Sequence, residues 1–146
     1  MIGLPTDTAV AAASLIFGGV LKEFPRLRFC LAHGGGSCLA LWGRWEHRWS
    51  TFGGGNRTAG PQFDVQIVEP PSTFLPLLYF DSLIHDAATL EFLVNSVGAN
   101  RVMLGTDYPF PMGDYRSVEK IDALPDVVDG GKELIWGGTA AELFKI

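Results

Sequence analysis

Three short apolar runs, residues 28–32 (RFCLA), 77–80 and 101–104, alternate with segments whose apolar residues recur at helical spacing. No Asn-Gly or comparable hairpin signal joins one run to the next. Strands that are connected only through helices need crossovers, and crossovers of this kind are right-handed and make the sheet parallel. The order helix, strand, helix, strand, helix, strand, helices therefore confines the chain to the α/β class.

Taken in order, Pro5-Thr6-Asp7 looks like a helix entry capped by Thr6 or Asp7. Val10, Ala13, Ile16, Phe17 and Val20 predict one helix reaching Phe24, where Pro25 stops it. The first apolar run ends on His33 and three glycines, and helical spacing resumes from Ser37 with Leu39, Leu41, Trp42 and Trp45 on one face. Residues 52–61 (FGGGNRTAGP) read as a loop, and the chain stays irregular through Pro70-Pro71. Asp86 is placed to cap a helix through Leu90, Phe92, Leu93 and Val97, ended by Gly98 and Asn100. Beyond Pro111, residues 116–124, 129–136 and 139–144 read as short helices, the last two broken by Gly137-Gly138.

With 146 residues, 47% of them apolar, the chain is about one ordinary domain and can bury a core. Eleven basic residues against 16 acidic ones, with no basic run, argue against nucleic acid or an anionic membrane as partner. The apolar stretch from Ala9 to Val20 is interrupted by Ser14, Gly18 and Gly19 and is too short to span a bilayer; no basic segment precedes it. Cys30 and Cys38 have no CxxC spacing, so a reduced, cytoplasmic chain is the expectation.

Each apolar run closes on a polar group: His33, Asp81 and Asp107. In α/β folds the loops at the carboxyl ends of strands build the site, which makes this coincidence the main functional signal. His33 before Gly34, Gly35 and Gly36 suits a general acid/base or a metal ligand, or else a histidine bonded to a carbonyl at a tight turn. Asp107, in LGTDYPFP, either ligates a metal or takes a proton, or else closes an Asx-turn with its own backbone. Gly105 beside it allows a close backbone approach. Arg44 could hold a substrate carboxylate in a bidentate pair, or simply be solvated. His47 and His85 read as surface or capping residues, and the role of Asp81 is open. Alternation puts Cys30 and Ala32 on the face away from Leu31 and His33, where Cys30 is expected to be a packed, inert thiol. Neither GxSxG nor HExxH occurs, and HGGG lacks the lysine of a P-loop.

The combination of AHGGG with Gly43-Arg44, YFDSLIHD and LGTDYPFP resembles the C-terminal half of decarboxylases of the amidohydrolase-related (amidohydrolase 2) family. GTDYPFP is closer to the branch acting on aminocarboxymuconate semialdehyde than to the resorcylate-type branch. The resemblance implies residues 1–146 as the C-terminal portion of a (β/α)8 TIM barrel, an incomplete barrel of about three parallel strands and their helices. It implies one zinc, held in part by Asp107, a catalytic His33, and an Arg44 that reaches the partner subunit's site in a homodimer. The implied reaction is non-oxidative decarboxylation of a small unsaturated or aromatic-derived carboxylate, as in tryptophan catabolism. The family's HxH pair and its third histidine ligand are absent from the chain, so a fragment holding no zinc alone is expected. A metal-dependent hydrolase of the same superfamily and a non-catalytic remnant that associates through exposed strands are the alternatives.

Overall fold

The computed structural model describes residues 2–52, 65–125 and 130–146. They form two compact units: residues 1–29 with 35–78, and residues 30–34 with 79–146. The first contains helices α1 (Gly3–Phe17), α2 (Val20–Glu23) and α3 (Cys38–Phe52) and a 3-10 segment, Pro71–Leu77. The predicted single helix to Phe24 is in fact two. Gly19 adopts φ 76 between them, a left-handed conformation that an L-residue resists. The N-cap of α1 is Ile2, not Thr6 or Asp7, and the Thr6 hydroxyl donates back to the Ile2 carbonyl at 2.9 Å. Ala9, Ala12 and Ile16 make the buried stripe, while Val10 is exposed. Gly19→Ala is expected to cost about 1–2 kcal/mol in chemical denaturation, from the left-handed backbone alone; an unchanged midpoint would show that the break does not depend on glycine.

On α3, Trp45 packs edge-on against Phe17 with centroids 6.0 Å apart and lies 5.3 Å from Trp42. These aromatics pack against one another in the first unit. Phe52 is the last residue of α3; the rest of the predicted 52–61 loop lies outside the described residues. The stretch after Pro70 is regular after all, because the 3-10 turn tolerates Pro71 at its start and Pro76 within it.

The second unit carries the polar ends of the strands β1 (Phe29–Leu31), β2 (Leu78–Asp81) and β3 (Val102–Met103), in sheet order β1-β2-β3. Strands β2 and β3 are parallel, with Phe80 opposite Val102 and Asp81 opposite Met103. Phe80 and Val102 are fully buried on one face, and Asp81 and Met103 therefore share the other. Helix α4 (Ala87–Val97) begins where Asp86 accepts the Thr89 N–H at 2.8 Å and its hydroxyl at 2.7 Å, the expected cap. It ends at Gly98, φ 88. Helix α5 (Ser117–Asp122) matches the expected segment. Gly137-Gly138 do not break the last helical run: α6 (Gly131–Glu133) and α7 (Thr139–Phe144) are joined by a π turn, Leu134–Gly138, which absorbs both glycines. Asp129, predicted to start that run, lies outside the described residues. Among the described residues no helix is long and apolar enough to cross a membrane.

Candidate active site

The end of β1 turns at once into a 3-10 turn, His33–Gly35. His33 has φ 58, and Gly34, Gly35 and Gly36 have φ 59, 80 and 59. Four successive left-handed residues bring the chain out of the sheet abruptly, and only glycine does this without penalty. His33 is the exception in the series, and a histidine held there carries a backbone cost of roughly 1–3 kcal/mol. Gly34 is also pressed against Ile84, whose Cδ1 lies 2.4 Å from where a Cβ would stand.

Asp81, at the end of β2, holds this turn in place. Its Oδ2 accepts the His33 N–H at 3.1 Å, and its Oδ1 accepts the Gly34 N–H at 2.7 Å and the Leu83 N–H at 3.1 Å. Burial pushes the Asp81 carboxyl up from its ordinary value, against the pull of those three N–H groups and the His33 charge. The end of β3 meets the same residue. A Cβ on Gly105 would fall 2.7 Å from the Asp81 Cβ, so the close approach anticipated at this glycine is to Asp81. The Gly105 N–H also donates to Ser82 Oγ at 3.1 Å.

Asp107 lies two residues further, at φ 59. Its carbonyl accepts the Phe110 N–H at 2.8 Å, and Thr106 Oγ1 accepts the Tyr108 N–H at 3.3 Å. The turn is thus closed by a main-chain carbonyl and a threonine hydroxyl. The Asp107 carboxylate takes part in neither bond. His33, Asp107 and Lys145 are the non-glycine residues at positive φ among those described, so two strained positions coincide with two expected site residues. Tyr108 and Phe110 beside Asp107 are exposed.

The turn is anchored at its far end by Asp114, which sequence reading passed over. Asp114 is buried; its N–H donates to the Thr106 carbonyl at 2.8 Å, and its Oδ1 accepts the Arg116 N–H at 3.1 Å. Its other oxygen pairs with Lys120 Nζ. Ser117 Oγ reaches the Gly105 carbonyl at 3.2 Å and the Asp114 carbonyl at 2.8 Å. A buried aspartate seven residues after Asp107 and six before a lysine carries no motif, which is why it escaped notice.

Arg44 and His47 are exposed on α3, in the first unit, and His85 is exposed before α4. Cys30 is exposed, contrary to the expected packed thiol. Strand alternation does set Cys30 and Ala32 opposite Leu31, but the side they share is the open one. Its thiol is still pushed up to about 11, by desolvation first and the Asp81 carboxylate second, so it is a poor nucleophile.

Among the described residues no group of three or more His, Cys, Asp or Glu side chains could hold a metal ion. A mononuclear catalytic zinc takes about three protein ligands. The donors in the chain as described do not meet that requirement, and Asp107 stands as one potential ligand.

The amidohydrolase family profile matches residues 2–146. The chain is 39% identical over 144 residues to 2-amino-3-carboxymuconate-6-semialdehyde decarboxylase of Dictyostelium discoideum, an alignment covering 97% of this chain and 38% of that protein. Its fold resembles the crystal structure of 5-carboxyvanillate decarboxylase from Sphingomonas paucimobilis, with TM-score 0.75 and 26% identity over 97% of this chain and 41% of that one. The 5-carboxyvanillate decarboxylase of Novosphingobium aromaticivorans, crystallised with manganese and 4-hydroxy-3-methoxy-5-nitrobenzoic acid, has TM-score 0.81 at 20% identity, covering 97% of this chain and 40% of that chain. The chain thus spans about two fifths of the length of these proteins, and its three-stranded sheet with helices corresponds to part of their barrel. With a profile match along the whole described chain and a relative at this identity, the chain belongs to the amidohydrolase family.

Proposed function

We propose that this chain supplies the His33 and Asp107 portion of a metal-dependent carboxy-lyase acting on an unsaturated or aromatic-derived carboxylate, aminocarboxymuconate semialdehyde being the leading candidate. The observation that carries the reading is the convergence on Asp81: the turn bearing His33 and the glycine leading to Asp107 both meet that one carboxylate. Similarity to a decarboxylase of that substrate adds support. The carbon that loses carbon dioxide keeps the bonding electron pair and must gain a proton. An imidazole at a strand end, on a turn bonded to Asp81, is suited to moving it. Arg44 would bind a substrate carboxylate in the partner subunit of a homodimer, a role its planar fork fits. Asp107 would be one metal ligand; the metal is zinc in this reading, manganese being what a structural neighbour holds.

Residues 1–146 alone are expected to hold no stoichiometric zinc or manganese in elemental analysis and to leave aminocarboxymuconate semialdehyde unconsumed. One tightly held metal per chain together with turnover overturns the fragment reading. In the full-length protein the expected product is carbon dioxide without net consumption of water, and hydrolysis of an amide, ester or lactone instead would place the site with the superfamily's hydrolases.

A further inference from the structure

We infer that Asp81 is the positioning residue for His33: its carboxylate fixes the left-handed His33–Gly34 pair and thereby the direction in which the imidazole leaves the end of β1. The two oxygens divide the work. Oδ2 takes the His33 N–H, whereas Oδ1 takes Gly34 and Leu83. The first two donors belong to consecutive residues at φ 58 and 59, and in this turn both N–H groups meet the one carboxylate. Without the carboxylate the turn would be freer to relax at His33, because a non-glycine residue at φ 58 still carries a backbone cost. The Leu83 bond locks the carboxylate to its own strand end, and Gly105 leaves room for it where any Cβ would overlap. Asp81 therefore acts through His33 and not on substrate.

The kinetic consequence rests on the decarboxylase reading, and Asp81→Asn separates the two. The amide oxygen can keep Gly34 and Leu83, while its NH2 faces the His33 N–H, donor against donor. In the full-length, metal-loaded protein the variant is expected to lose about 10²-fold in kcat with KM within about threefold of wild type, the cost of a misplaced catalytic group. The His33 amide resonance should shift and its ring should change its nuclear Overhauser contacts, with the Gly34 amide unmoved. Asp81→Ala, which removes all three bonds, should also move Gly34. A purely structural role would lower the melting temperature and change kcat and KM together, and that result overturns the inference. Wild-type kcat in Asp81→Asn overturns it as well. If the wild-type protein decarboxylates nothing, the functional reading fails on its own, and the His33 ring contacts decide: a moved ring in Asp81→Asn sustains the positioning role, an unmoved ring ends it.

Discussion

On the proposed decarboxylase function, exchanging His33 for asparagine is expected to lower kcat by about 10²–10⁴-fold in the full-length protein, the span that a positioned general acid or base contributes. Asparagine is the informative choice because His33 sits at φ 58, a region that asparagine enters more readily than most residues. The main-chain bond from residue 33 to Asp81 Oδ2 should survive, so the turn keeps its shape and only the imidazole is lost. Alanine would confuse the two effects, since a left-handed alanine strains the same turn. Steady-state kinetics with the melting temperature measured alongside provide the check. A variant with wild-type kcat removes His33 from the proton-transfer role, whatever its stability.

Asp114→Ala should destabilise the protein by about 3 kcal/mol, because it strands the Lys120 ammonium and takes the carboxylate from the Arg116 N–H. The figure is at the lower end for a buried pair, since the Lys120 side chain keeps 16% of its surface in solvent. For a chain of this size the melting temperature should fall by roughly 10 °C. Burial alone would push the Asp114 carboxyl up, but Lys120, the Arg116 N–H and the His85 charge outweigh it and hold it below the ordinary range. A carboxyl depressed in the folded state stabilises fully above its unfolded value and loses that contribution as pH falls through the folded one. Wild-type protein should therefore lose part of its stability below about pH 4, where the variant has nothing left to lose from this group. Urea midpoints across pH test this, and parallel curves for the two proteins would contradict it. The Asp114 N–H to the Thr106 carbonyl is a main-chain bond that alanine keeps, so the turn that carries Asp107 should retain that anchor in the variant.

Much of this was legible from local pattern. Asp86 as a cap, Gly98 as a stop and the three strand regions follow from residue preferences that act within a few positions. The errors came where local signals compete. Val20 continued the apolar spacing of α1, yet Gly19 at φ 76 outweighed it. Gly137-Gly138 looked like a break, and a π turn absorbed them because the flanking residues were helical on both sides. Cys30 was assigned to a packed face from strand alternation, which says that two faces differ without saying which one is covered.

By itself the sequence determined the α/β class, the three polar strand ends and the family motifs, because each is encoded in residues adjacent along the chain. Tertiary structure alone decided what Asp81 does and which side of β1 is open. His33 and Asp81 are 48 positions apart, and Gly105 is 24 beyond Asp81. No local preference links residues at such separations; only the parallel register of β2 and β3 and the turn after β1 bring them to one carboxylate.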